Sequence, residues 1–141
     1  MNALDVAVKF FHACESAEGW SGCRDYAAAD ATFHSCAPSY RGMETLNDYC
    51  EQVAGAFQTT FAGSAYELVA SAHDAATDTV IVQGLSLAEH TGDGGPVPPT
   101  RIRARIPFVY SMQMGPDNKI AHVEKIYDEA SSRRQLGWPV D

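Results

Sequence analysis

The hydrophobic period of this chain changes once, near Ala62-Gly63-Ser64, and that change constrains the fold more than any other feature. Before it, apolar residues recur at helical spacing. Residues 3–16 set Leu4, Ala7, Val8, Phe11 and Cys14 on one stripe, and residues 43–61 do the same with Met43, Leu46, Cys50, Val53 and Phe57. Between them, residues 18–28 contain Gly19 and Gly22 and support only a short, irregular helix, with Trp20, Cys23 and Tyr26 on its apolar side. Residues 30–36 read as a short strand, and Pro38 and Arg41-Gly42 mark a turn. After the change, Tyr66–Ala72, Thr79–Thr91, Arg101–Met114 and Lys119–Asp128 are strand-like and separated by turn residues. Asp93–Pro99 is too Pro-rich for a strand and forms a hairpin loop, while Gly84 suggests a bulge or bend. Helices first and a meander afterwards predict an α+β fold. The expected architecture is a cone: a curled antiparallel sheet of about four to six strands with three N-terminal helices over its concave face. Residues 1–141 are expected to form a single domain, long enough to bury a core.

Composition narrows the partners. The net charge of −8 argues against nucleic acid and anionic membranes. No apolar run approaches the roughly 18 residues of a membrane helix. Met1-Asn2-Ala3-Leu4-Asp5 shows no basic region leading into an apolar core, so a cytoplasmic location is expected. Cys14, Cys23, Cys36 and Cys50 lie 9, 13 and 14 residues apart, with no Cys-x-x-Cys, and are read as small buried apolar residues. Alternation places Arg101, Arg103 and Arg105 on one strand face, as a solvated surface, a subunit contact or, less simply, an anion site.

The last strand carries most of the ionisable residues. Ile120, His122, Glu124, Ile126 and Asp128 share one face, and Ala121, Val123, Lys125 and Tyr127 share the other. Neither is purely apolar, so the pattern alone leaves the inner face open. Asp128 could serve as a pocket acid or base, because a poorly solvated carboxylate has a raised pKa. It could equally cap a helix over Glu129–Leu136. His34 is a candidate proton shuttle or a structural histidine. His12, Tyr26, Tyr49, His122 and Glu124 are candidate substrate-binding groups, with Phe57 and Phe108 as apolar walls. His90 is expected at the rim of the hairpin loop and His73 on the surface. No metal-ligand spacing, phosphate loop or nucleophile elbow is present, so no metal or cofactor is expected.

Several motifs occur together in a telling order. They are Tyr26 with Asp30-Ala31-Thr32-Phe33-His34, Tyr40-Arg41-Gly42-Met43-Glu44, Glu89-His90-Thr91-Gly92 with Pro98-Pro99-Thr100, and Asp117-Asn118-Lys119-Ile120 running into Ile126-Tyr127-Asp128 and Arg134-Gln135-Leu136-Gly137. The ordered set resembles the SnoaL-like polyketide cyclases of the nuclear transport factor 2-like superfamily, over nearly the whole chain. The resemblance implies a cone-shaped domain and an apolar carbonyl ligand that is cyclised or isomerised by acid/base chemistry. It also implies that the acid-bearing face of the last strand lines the cavity, with Asp128 as the acid/base and His34 or Tyr26 as a donor. It points to a homodimer, expected through an outer sheet face carrying Val109, Val123 and Tyr127 beside Arg103 and Arg105. Ketosteroid isomerase-like relatives place a base near Ser35, and epoxide-hydrolysing relatives use an Asp-Arg-Asp set; this chain has neither. A non-catalytic ligand-binding or interaction domain on the same fold is the competing reading.

Overall fold

The computed structural model describes residues 1–140. The first helical stripe forms α1 (Ala3–Glu15), capped by Asn2, whose side chain accepts from the Asp5 amide at 2.8 Å. Its buried face is Ala3, Val6, Ala7, Phe10, Phe11, Ala13 and Cys14, rotated from the expected stripe so that Leu4 and Val8 sit at its edge. The glycine-bearing segment gives only one turn, α2 (Gly19–Cys23), running into a 3-10 turn at Arg24–Tyr26. The second stripe forms α3 (Leu46–Gln58), capped by Thr45. Its buried face adds Tyr49, a residue the aliphatic stripe does not include.

Five strands follow the expected segments: β1 (Ala27–Ser35), β2 (Ala65–Asp74), β3 (Thr79–Leu87), β4 (Ile106–Met114) and β5 (Ile120–Ile126). They form one sheet in the order β1-β5-β4-β3-β2. β2 through β5 are antiparallel neighbours, but β1 pairs with β5 in parallel. The sheet is therefore mixed, which corrects the all-antiparallel expectation. The reason is topological: the whole of α3 and the β2–β4 meander lie between β1 and β5, enough chain for the crossover that a parallel pair needs. A fourth helix, α4 (Glu129–Leu136), closes the chain, with Gly137 at φ 76° as its left-handed cap.

Two strands are shorter than the pattern suggested. β3 stops at Leu87 and β4 begins at Ile106; between them only Glu89 and Arg103 form an isolated bridge. Arg101 sits at φ 57°, so Arg101, Arg103 and Arg105 are exposed loop residues rather than one face of a regular strand.

The helices cover one face of the sheet. Val80, Val82, Phe108, Tyr110, Met112 and Val123 point into the core and meet Phe10 and Phe11 of α1 and Leu46 and Tyr49 of α3. A second, smaller cluster joins Ala88, Ala104, Ile106 and Leu136, with Phe57, Phe61, Tyr127 and Trp138 packed on it. Cys14, Cys23 and Cys50 are buried as expected, whereas Cys36 is exposed.

Gly84 marks the irregularity the sequence signals. The register of β2 slips between Leu68 and Ala70, directly across from it. Gly84 itself must stay small, because a Cβ there would lie 2.5 Å from Cζ of Phe108 and 2.8 Å from Cε2 of Phe11. Gly84→Ala is expected to cost about 1–3 kcal/mol by overpacking, read as a lower denaturation midpoint in urea with an unchanged slope.

Candidate active site

α3, the inner sheet face and α4 enclose a cavity of about 280 Å³. Its apolar walls include Val53, Phe57, Phe61, Ile106, Phe108 and Trp138, and its polar groups include Glu15, Tyr40, Tyr49, Lys125, Tyr127 and Glu129. Glu15 comes from the last turn of α1 and Lys125 from the middle of β5.

The central feature is an acid and an amine, each partly buried, in one apolar chamber. Tyr110 donates to Glu15 Oε2 at 2.7 Å, and Tyr49 hydrogen-bonds to Tyr110 in turn. With Tyr110 donating to the carboxylate, Tyr49 donates to Tyr110, and the three groups form a polarised chain. The neighbouring Cys14 thiol also favours the Glu15 carboxylate. Lys125 Nζ donates to the Tyr40 hydroxyl at 3.2 Å. Its ammonium lies 4.8 Å from the Tyr127 ring centre, 5.1 Å from those of Tyr40 and Tyr49, and 5.3 Å from that of Phe108. An aromatic cage of this kind partly replaces the water a lysine loses on burial.

Burial dominates the ionisation of both groups. It pushes the Glu15 carboxyl up, against the pull of the Lys125 charge and then of the Tyr110 hydrogen bond. It pushes the Lys125 ammonium down, against the pull of Glu15. Each feels the other's charge, but they form no direct salt bridge, so desolvation wins on both sides. Burial also raises Tyr40, Tyr49, Tyr110 and Tyr127, which remain neutral donors. Both Glu15 and Lys125 keep some accessible area, and both line the cavity.

The cavity is held open at its ends by hydrogen bonds. Glu129 Oε1 accepts from the Ser39 amide at 3.0 Å and from the Tyr127 hydroxyl at 3.1 Å, tying the first turn of α4 to the turn after β1. Trp138 stacks on Phe61 and donates from Nε1 to His90 Nδ1 at 2.9 Å. That donation requires the His90 proton on Nε2, which is buried without a partner beside Gly95.

The structure redistributes the residues expected at the site. Tyr49, Phe57 and Phe108 line the cavity. Asp128, Glu124, His122 and His34 do not, because the opposite face of β5 points inward. Asp128 is exposed and caps α4, its Oδ1 accepting from the Ser131 amide at 3.0 Å. His34 and Glu124 are cross-strand neighbours, paired at 2.5 Å on the outer side of β1 and β5, and Thr32 meets His122 at 2.8 Å in the same row. Ile120 is buried nonetheless, because a register shift against β4 separates it from His122. Tyr26 packs against the core away from the cavity. His12 bonds the Tyr66 hydroxyl at 3.0 Å on the surface. His90 is fully buried, which corrects its expected place at an exposed rim. His73 pairs with Asp78 at 2.8 Å on the surface.

Glu15 is the functional candidate that the sequence reading missed, and Lys125 enters that reading only if the opposite face of the last strand points inward. Lys125 was visible as an ionisable residue on the inward parity of the last strand. Glu15 gave no signal beyond its place at the edge of the first stripe.

No family model matches the chain, and no curated protein does. Solved structures of the SnoaL-like and nuclear transport factor 2-like kinds do match it over nearly its full length. It is similar to IdmH, a proposed polyketide cyclase from Streptomyces antibioticus, at 19% identity and TM-score 0.78, over 97% of this chain and 99% of that one. It is also similar to AclR, a proposed hydroxylase from Streptomyces galilaeus, at 18% identity and TM-score 0.76, over 99% of this chain and 87% of the other. A third is TerC, crystallised with polyporic acid, at 14% identity and TM-score 0.70, over 96% of this chain and 98% of that one. The chain thus has the nuclear transport factor 2-like fold of these structures.

A pH test follows from the Glu15 environment. Its folded pKa is raised, so its contribution to stability is fully present below the unfolded carboxyl pKa and is lost as pH rises through the folded value. Glu15→Gln keeps a side-chain oxygen for Tyr110 and does not titrate. The melting temperature of the unaltered protein relative to Glu15→Gln should therefore fall with rising pH between those two values. The corresponding difference in unfolding free energy should fall by up to about 1.4 kcal/mol per pH unit. Parallel melting curves from pH 4 to 9, roughly the span in which a raised carboxyl titrates, would rule this ionisation out.

Proposed function

We propose that the cavity binds a largely apolar aromatic carbonyl compound and transfers protons at the carbon beside its carbonyl, leading to aldol-type ring closure or isomerisation. One observation carries this reading: a desolvated carboxyl faces the same apolar chamber as a desolvated amine, without a direct salt bridge between them. Glu15 is the acid/base, because burial moves its pKa toward the operating range such a group needs. Lys125 and the Tyr40 hydroxyl stabilise the developing enolate oxygen, where a fixed charge and dipole act in a poorly solvated site. Tyr110 and Tyr49 orient the carboxyl. Phe57, Phe61, Phe108 and Trp138 offer ring faces to a flat ligand, and a volume of about 280 Å³ suits a small polycyclic skeleton.

The similar folds support the ligand class more than the reaction, since one is described as a cyclase and another as a hydroxylase. TerC was crystallised with polyporic acid, which makes that compound a suitable binding probe. A non-catalytic binding role is favoured by one observation, that Asp128 is committed to capping α4. Two measurements separate the readings. Polyporic acid should quench Trp138 fluorescence in a Trp20→Phe background, and Ala56→Trp, which fills the cavity wall, should abolish the quenching. Deuterium wash-in from solvent into aryl 1,3-diketones, followed by NMR, should be catalysed and should drop about a hundred- to ten-thousand-fold in Glu15→Gln, with Asp128→Asn retaining it. Quenching without wash-in by the unaltered protein would leave a binding module.

We further propose a homodimer through the outer sheet face. Val123 is buried and Tyr127 lines the cavity, so neither belongs to that face as first expected. Ile81 and Ile126, 40% and 57% exposed, take their place beside the partly covered Val109. Apolar groups gathered on one open sheet face favour association. Sedimentation should give a dimer at micromolar concentration and a monomer for Ile126→Asp; a monomeric unaltered protein would sink the idea.

A further inference from the structure

The three N-terminal helices meet at sulfur. Cys14 lies in the last turn of α1, Cys23 ends α2 and Cys50 lies in the second turn of α3. Their exposures are 1%, 0% and 1%, and their three Sγ atoms all lie within 4.8 Å of one another. None of them lines the cavity, and the proton transfer described above does not use them.

We infer that Cys14, Cys23 and Cys50 form a three-thiol binding site for a soft ion, matched best by trivalent arsenic. Thiolate sulfur selects soft ions. A bond of about 2.3 Å, as for metal thiolates, with the roughly 95–100° angles of a pyramidal trivalent arsenic, sets three sulfurs about 3.5 Å apart. The cluster thus closes around an ion with side-chain movements of under about 1 Å.

Charge narrows the choice. Glu15 and Glu51 are the carboxylates whose fields reach Cys14 and Cys50. Lys125 also senses Cys14, but it is matched by Glu15. Among the described residues, no lysine or arginine is a leading influence on the three thiols, so a buried anion there has no matching cation. Three thiolates around a monovalent ion carry two negative charges, around a divalent ion one, and around a trivalent ion none. Burying an uncompensated charge is costly, so the neutral complex is preferred. Uptake from arsenous acid forms three As–S bonds and breaks three As–O bonds. Each thiol proton leaves with a hydroxide as water, and nothing is oxidised or reduced. Once formed, the complex joins α1, α2 and α3 and stabilises the folded state by mass action.

The test uses the full chain, reduced, with Cys36→Ser to remove the exposed thiol. Arsenous acid is added to the folded protein and, separately, supplied during refolding so that access to the core is not limiting. Native mass spectrometry should show one arsenic per chain with loss of three protons, together with a rise in melting temperature. Cys14→Ala, Cys23→Ala and Cys50→Ala should each weaken binding by more than about tenfold, since even outer-sphere changes at metal sites cost that much. No uptake by either route would overturn the assignment. So would an adduct that keeps a hydroxyl and loses only two protons, or Zn(II) or Cu(I) displacing arsenic from the same thiols at equal concentration. The mass measurement needs no cysteine variant in the cluster, so it stands if those variants fail to fold.

Discussion

β5 is gripped on both edges, by β1 in parallel and by β4 antiparallel, and this double pairing fixes which of its side chains face the helices. Because strand side chains alternate, a slip of one residue would exchange the two faces. As paired, Val123 and Lys125 point inward and His122 and Glu124 outward. Val123 fills the core, and Lys125 enters a cage of tyrosine and phenylalanine rings. The cavity, its electrostatics and the outer histidine–glutamate row all follow from that register.

The inner chamber stores unfavourable electrostatics in a controlled form. A carboxyl and an amine are desolvated together without a direct ion pair, and each is supported by phenols instead. A lysine or glutamate left alone in such a place would neutralise or bring in water. Here a phenol chain takes one oxygen of Glu15 and an aromatic cage receives the Lys125 head. This arrangement lowers the cost of burial without pairing the charges. It leaves both groups available to a ligand, which a closed salt bridge would not.

α4 illustrates how a short segment serves two ends. Asp128 caps it and Gly137 terminates it, so the helix is defined locally. Its first turn carries Glu129, which holds the Ser39 turn and the Tyr127 hydroxyl, and Leu136 with the following Trp138 seals the other side. The acid that ends the last strand is therefore architectural, and the chamber's acid arrives from the opposite end of the chain.

The sequence by itself determined the element order, the two amphipathic helical segments and the irregularity at Gly84, and it offered capping as one of two readings of Asp128. Each depends on neighbours a few residues apart, and local period and turn chemistry report such neighbours directly. Phe57 and Phe108, read there as apolar walls from a helical stripe and a strand segment, and Tyr49, read as a polar binding group, all line the cavity. Only the tertiary structure decided the face of β5, because both of its faces mix apolar and ionisable residues and parity is settled by partners distant in the chain. The same holds for the parallel pairing of β1 with β5, for Glu15 meeting Lys125, and for three cysteines from three helices converging at one point. Such meetings depend on how helices cross the sheet, and the spacing of residues along the chain carries no trace of that.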